Sequence, residues 1–373
     1  MKIFYIANAR IPTEKAHGIQ IMKMCEAFVL QGVDLELVIP KRLNTIKDDS
    51  FDYYQIKRIF KIKKLWNIDL TSLNLPYIGF LIQNLTFALA VFVYLFGKKE
   101  DYIYSRDLFP LFFLSIIKKK LIHEAHFLPK HYRFYQWLFK RIKVIIVITH
   151  SLKEILIKKN INKNKILVAP DGVDIDNFQI PIDQIECRQK LNLPLDKKII
   201  LYTGHFYQWK GAQILADAAQ YLDKQCIVIF VGGTDKNIAE FKEKNRHQKN
   251  ILIIGHRPHQ EIPYWLKAAD VLVLPNSRKS DISRLYTSPL KMFEYMAAKR
   301  PIIASNLTSV GEILNFQNAI LVKPDNAQSL SDGIKNVIDN HNLSFNLSEQ
   351  AYRDVQKYSW ARRARKIKSF IKI

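Results

Sequence analysis

"APDGVDIDNF", Ala169 to Phe178, puts a proline, a glycine and three aspartates into ten residues. Such a cluster is a turn signal, and what lies on either side of it decides the fold. Before it come the short apolar runs "KIFYIA", "DLELVIP", "KVIIVIT" and "KILVAP", with the helical stretch "GIQIMKMCEAFVLQG" after the first. After it come "KIILYTG", "CIVIFVGG", "NILIIG", "DVLVLPN" and "PIIAS". Buried runs of four to six residues separated by helical stretches are the pattern of parallel sheets covered on both faces. The series begins twice, so the expectation is an α/β chain of two parallel-sheet domains with a cleft between them. The boundaries fall at 1–170 and 171–357, and residues 358–373 form a basic terminal helix carrying Trp360, Ile367 and Ile371.

The length agrees, since 373 residues exceed one ordinary core. Hydrophobic residues make up 48% and charged residues 24%, the profile of a chain that folds. Cys25, Cys187 and Cys226 stand far apart, with no CxxC and no histidines at zinc spacing, which points to a reducing compartment and no metal site. Asp174 and Asp176 have a spacing that could bind a divalent ion, but a solvated turn explains them better. The apolar part of "MKIFYIANAR" is short for a signal peptide and reads as a first strand.

The formal net charge of +23 is unevenly spread. Residues 1–170 hold 28 basic and 13 acidic side chains, 28 − 13 = +15, and the remainder holds 29 and 21, 29 − 21 = +8. Such a field favours polyanions, whether nucleic acid, anionic lipid or phosphorylated substrates.

Two stretches have the features of an anion site. In "SPLKMFEYMAAKRPIIAS", Ser288 is placed to cap a helix and Pro289 suits its first position. The amides of Leu290 and Lys291 then face outward as a positive helix end. Glu294 follows five residues after Pro289, about 7–8 Å further along the axis. That is roughly the separation of a nucleotide's diphosphate from its ribose hydroxyls, and a carboxylate accepts hydrogen bonds from a vicinal diol. Lys291, one turn back, is expected to moderate the charge of Glu294. In "YTGHFYQWKG", a strand ends at Gly204 and Lys210-Gly211 opens the next helix. "VGGTDKN" and "AHGIQIMKMCEAF", with Gly18 at a helix start, repeat the strand-then-glycine arrangement. Ligands of open α/β sheets bind at that edge.

Taken in order, these motifs resemble the glycosyltransferase group 1 family, family four of the retaining enzymes, with its GT-B architecture of two Rossmann-like domains. "HGIQIMKMCEAF" is similar to the family's first glycine loop, "APDGVDIDNF" to its linker and "YTGHFYQWKG" to its phosphate motif. "ILIIGHRPHQEIPYWLKAADVLVLPN" resembles its base-binding segment, "YTSPLKMFEYMAAKRPIIAS" its two-glutamate helix, and the closing helix the one that crosses back to the first domain. The resemblance implies transfer of a sugar from a nucleotide-diphosphate donor, as co-substrate, with retention and without a bound metal or other cofactor. By the same resemblance Lys210 pairs the diphosphate, Glu294 holds the ribose, backbone near Arg257 receives the base and Gly18 lets the diphosphate approach. Tyr286, Thr287, Ser288, Pro289, Leu290 and Lys291 complete the donor site. His126, in "HEAHF", stands where the family places a histidine near the reacting carbon, and His126 and Lys210 are the expected catalytic pair. Two positions depart from the pattern. His205 stands for the phosphate arginine, and Tyr286 for the first glutamate of the helix motif.

The acceptor is expected to be a glycan, lipid-linked at the cytoplasmic face of the plasma membrane. "LPKHYRFYQWLFKRIK" interleaves Tyr132, Phe134, Tyr135, Trp137 and Phe139 with Lys130, Arg133, Lys140, Arg141 and Lys143, a composition suited to an anionic headgroup layer. "IKRIFKIKKLW", Ile56 to Trp66, is placed on the same face. "IGFLIQNLTFALAVFVYLF", Ile78 to Phe96, is long enough to span a bilayer, but Gln83, Asn84 and Thr86 interrupt it, and a buried or membrane-grazing helix is expected. An epimerase or phosphorylase on the same architecture is the competing enzyme class. A nucleic-acid-binding protein rests on charge alone, without a recognisable binding motif.

Overall fold

The β-branched runs form strands in register. The computed structural model describes residues 1–70, 76–129 and 131–372. The chain divides into two compact units, Met1–Pro170 with Trp360–Ile373, and Asp171–Ser359.

Among the described residues of the first unit, seven strands pair in the order β3-β2-β1-β4-β5-β6-β7. They are β1 (Lys2–Ile6), β2 (Asp34–Pro40), β3 (Lys61–Leu65), β4 (Tyr102–Ser105), β5 (Leu121–Ala125), β6 (Val144–Val147) and β7 (Ile166–Val168). Every pairing is parallel. Two of these strands carry no clear apolar signal. In β5 the run is broken by His123 and Glu124, both buried with polar partners. β3 lies inside the Ile56–Trp66 stretch expected on a lipid-facing surface. It is an edge strand, and its exposed lysines protect an open sheet edge against further pairing.

The second unit repeats the plan with β8 (Lys198–Thr203), β9 (Cys226–Val231), β10 (Ile251–Gly255), β11 (Val271–Leu274), β12 (Ile302–Ser305) and β13 (Ile320–Val322). Their order is β10-β9-β8-β11-β12-β13. Alternate residues of each strand serve opposite layers, as the two-residue repeat requires. Ile199 and Leu201 join the core with Met292 and Phe293, while Ile200 and Tyr202 join the one with Leu215 and Ile334.

The closing helix, Trp360–Lys372, belongs to the first unit. Its buried Trp360, Ala364, Ile367 and Ile371 form one stripe, seated against the opening helix Ala16–Leu30. That helix is therefore covered on two sides, which is why Gln20, Lys23 and Cys25 are all buried in it.

The apolar helix runs Pro76–Leu95, and its segment Tyr77–Leu95 has the length and hydropathy of a membrane span. Only 33% of that segment is buried, so it is not a core helix. Gln83, Phe87, Val91 and Leu95 face the protein, and Gln83 and Asn84 hold the Asn8 side chain at 2.8–3.1 Å and 2.7 Å. Ile78, Leu81, Leu85, Leu89, Val93 and Phe96 are exposed along the opposite side.

Candidate functional site

In the second unit the residues converge at the carboxyl ends of the strands. β8 ends at Thr203-Gly204, where Gly204 has φ +119°. A Cβ there would lie 3.6 Å from Lys291 Nζ, and one on Gly232, at the end of β9, would come within 2.6 Å of the Gly204 carbonyl. The Gly204 turn therefore needs glycine for its conformation, and the Gly232 turn for both conformation and space. The chain then makes the short turn Gln208–Lys210 and enters the next helix through Gly211, at φ 72° and ψ 18°. A side chain on Gly211 would overlap the Pro275 carbonyl. The Lys210 ammonium lies 5.4 Å and 5.3 Å from the Tyr207 and Trp209 ring centres, and burial lowers its pKa to about 8. His205 is buried, stacks on Tyr207 at 5.2 Å, and its carbonyl accepts from the Tyr202 hydroxyl at 2.7 Å.

The helix bearing Glu294 runs Leu290–Ala297. Ser288 does not cap it. The Ser288 hydroxyl accepts the Asp171 amide at 3.0 Å, and Pro289 is the extended residue at the helix entry, with no side-chain cap. The first turn bond runs from the Met292 amide to the Pro289 carbonyl, so the Leu290 and Lys291 amides precede it. Tyr286 is half-buried at the end of the π turn Ile282–Tyr286, and Thr287 is buried beside it.

Lys291 is not the surface partner of Glu294. Its side chain is buried, donates to the Thr203 carbonyl at 2.9 Å and sits 3.7 Å from the Tyr202 ring centre. Helical side chains lean toward the N-terminus, and this one reaches the end of β8 rather than the next turn. Burial first, then repulsion from Lys210, hold its pKa well below the ordinary lysine value, while Glu294 pulls it back up. Lys210 and Glu294 thus both act on one buried amine. The Tyr295 hydroxyl ties the same helix to β8 by accepting the Thr203 amide at 2.9 Å.

Glu294 is 9% exposed, and its Oε1 lies 2.8 Å from Nε2 of His259. His259 belongs to the turn His259–Glu261, and no spacing rule in the sequence links it to a residue 35 positions later. Arg257 is exposed near it and faces Glu261 at 3.8 Å. Asn276 also escaped sequence reasoning. It follows β11 and is 1% exposed, and neither amide atom has a hydrogen-bond partner among the described residues. Its one signal is position, directly after the Pro275 whose carbonyl backs Gly211.

In the first unit, β5 separates the two histidines of "HEAHF". His123 is buried, with Nδ1 donating to the Ser105 carbonyl at 3.2 Å, and burial pushes its pKa down to about 4. His126 stands just past the strand's carboxyl end, with a side chain 16% exposed, and its Nε2 lies 2.7 Å from Glu124 Oε1. Burial raises the Glu124 carboxyl, but Arg363, His126 and Arg106 outweigh it and hold it well below the ordinary range. His17, beside Arg106, is lowered to about 4 by burial and by that charge. Gly18 has a packing reason of its own, because any side chain there would overlap the Tyr54 hydroxyl, which bonds the Thr13 backbone.

Known proteins match this arrangement. A profile described as Glycosyl transferases group 1 matches residues 183–354, and one described as Glycosyltransferase Family 4 matches residues 18–177. The D-inositol 3-phosphate glycosyltransferase of Corynebacterium urealyticum is 23% identical over 221 residues, 55% of this chain and 50% of that protein. The N,N'-diacetylbacillosaminyl-diphospho-undecaprenol alpha-1,3-N-acetylgalactosaminyltransferase of Campylobacter jejuni is 26% identical over 231 residues, 60% of this chain and 58% of that protein. The chain spans about half the length of the curated relatives it matches, 46% and 50% for the first two. Anabaena HepE in complex with UDP-glucose superposes with a TM-score of 0.79 at 17% identity, covering 100% of this chain and 99% of that one. Sucrose-phosphate synthase from Thermosynechococcus elongatus gives 0.79 at 19%, covering 100% and 98%. At such identities the likeness is one of fold, two Rossmann-like parallel-sheet units of the GT-B type. With one group profile along each unit, over sheets whose glycine turns stand at the carboxyl strand ends, this chain belongs to the group 1 glycosyltransferase family.

Proposed function

We propose that this protein is a retaining glycosyltransferase that moves a sugar from a nucleoside-diphosphate sugar to a glycan acceptor, with its own cations meeting the diphosphate in place of a metal. One observation carries the reading. At the edge of the second sheet a buried helix carries Lys291 and Glu294 one turn apart, with Lys291 reaching the carboxyl end of β8, the strand that leads into the turn bearing Lys210. The Lys210 ammonium and the Leu290 and Lys291 amides suit a diphosphate, and the Glu294 carboxylate suits a ribose diol. As the bond from the sugar carbon to the diphosphate oxygen breaks, negative charge builds on the leaving group. In this reading Lys210 and the helix end stabilise it. The acceptor oxygen bonds to the sugar carbon and passes its proton to the departing diphosphate oxygen, and His126 is the residue of the first unit assigned to the reacting sugar. The UDP-glucose complex of Anabaena HepE supports the donor class.

Screening nucleotide sugars by thermal shift tests this. A donor at 100 times its Kd adds about 2.7 kcal/mol. Glu294→Ala and Lys210→Ala are each expected to abolish that gain; variants that respond like the parent would refute the site.

We place the acceptor at an anionic membrane, as the lipid-linked substrate named for the Campylobacter relative suggests. The exposed stripe of the helix Pro76–Leu95 favours this, together with the helix Tyr132–Arg141, where Phe134 and Trp137 are exposed and Arg141 lies 4.7 Å from the Trp137 ring centre. Of the five aromatics in that stretch, Tyr132 and Phe139 turn into the core, and Lys130 lies outside the described residues. Flotation with anionic and neutral vesicles is the check. Equal recovery from both would remove the electrostatic part of the proposal.

A further inference from the structure

We propose that Arg363, on the closing helix, is a positioning residue for His126 and acts through Glu124. The proposal rests on the reading of His126 as the group that meets the reacting sugar. The geometry is a relay from the far end of the chain. Arg363 has a side chain only 3% exposed and faces the fully buried Glu124, with Nη2 3.2 Å from Oε1 and Nη1 3.4 Å from Oε2. The same guanidinium donates to the Ala169 carbonyl at 3.1 Å and the Pro170 carbonyl at 2.8 Å, so its plane is set by the strand-exit backbone. Glu124 also accepts from Gln20 Nε2 at 2.6 Å and from the Tyr104 hydroxyl, and Gln20 is itself held by Arg106 at 2.6 Å. The remaining donor to Glu124 is His126 Nε2, at 2.7 Å.

A carboxylate accepts along about four lone-pair directions, and these partners use them. Glu124 therefore cannot turn, and His126 must present Nε2–H to it. The neutral ring then carries its lone pair on Nδ1. A buried ion pair is a poor way to hold two elements together, because apolar packing of the same volume serves as well or better. The closing helix already has such packing in Trp360, Ala364, Ile367 and Ile371. Arg363 is the one charged residue among its buried positions, and the chain it reaches ends at His126.

The test is nitrogen NMR of the full chain with labelled histidine, the His126 signals assigned through His126→Gln. The parent is expected to show the Nε2–H tautomer at His126. Arg363→Met and Glu124→Gln are expected to give mixed tautomers there, and Arg363→Lys to restore much of the parent signal. Ile367→Ala loosens the same helix without touching Glu124 and is expected to leave His126 unchanged. Should Arg363→Met not fold, the double variant Arg363→Gln/Glu124→Gln removes both charges together and carries the same expectation. An unchanged His126 signal in the Arg363 and Glu124 variants overturns the proposal, as does an equal change in Ile367→Ala. The catalytic reading fails separately, if His126→Ala retains full sugar transfer.

Discussion

Lys210 is a residue whose chemistry its surroundings alter. Burial brings its pKa to about 8, while the unfolded side chain titrates near the ordinary value of about 10.4. Between those two values the unfolded chain binds the extra proton, so stability without ligand rises with pH across that window. Below about 8 both states are protonated and the cost of the buried charge is constant. A bound diphosphate favours the charged amine and reverses the trend. Donor affinity is therefore expected to fall as pH rises above about 8, with proton uptake on binding at pH 9. Calorimetry in two buffers of different ionisation enthalpy measures that uptake, and Lys210→Met should remove most of it. Binding without proton exchange in the parent would show that the diphosphate does not meet this amine. Glu294 illustrates the other side of residue-scale reading. Its buried carboxylate on a helix of apolar neighbours is visible in the sequence, but its partner His259 is not, because the two meet only through the fold.

At the scale of elements, the helix Pro76–Leu95 has two faces that respond differently to substitution. Leu85 and Leu89 are 39% and 45% exposed, whereas Phe87 is fully buried. Leu85→Glu with Leu89→Glu is expected to leave stability within about 0.5 kcal/mol, since neither side chain fills the core. The same pair should lower recovery with anionic vesicles several-fold by adding like charge to an immersed face. Phe87→Ala removes a packed ring and is expected to cost about 3–5 kcal/mol. Chemical denaturation and flotation separate the two outcomes, and unchanged vesicle recovery in the glutamate pair would remove this helix from the membrane face. The aromatic-basic helix shows how composition misleads at this scale. Five aromatics read alike in sequence, yet the 3.6-residue turn carries Tyr132 and Phe139 inward and Phe134 and Trp137 outward.

For the whole molecule, two compact units with their own sheets and cores predict separable responses. A donor held by the second unit is expected to raise the unfolding temperature of that unit first, by a few degrees for about 2–3 kcal/mol of linkage. Scanning calorimetry with probes in each unit would detect this; a donor effect confined to the first unit would move the diphosphate site there. The net charge of +23 acts at this scale too, as a salt-dependent attraction to anionic surfaces rather than as a determinant of fold.

The sequence by itself settled the class of the molecule. Apolar β-branched runs such as Cys226–Val231, glycine at their carboxyl ends and a second start after Ala169–Phe178 are local signals, and local sterics and burial suffice to read them. Lys210 beside Gly211 and Glu294 on its helix were legible in the same local way, as candidates for an anion and a diol. Tertiary structure alone decided which side chains meet. It gave Ser288 to the Asp171 amide, turned Lys291 to the end of β8, set His259 on Glu294 and brought Arg363 to Glu124 from 239 positions away. Strand β5 stayed hidden for the same reason: a histidine and a glutamate break an apolar run, and only distant partners make their burial affordable.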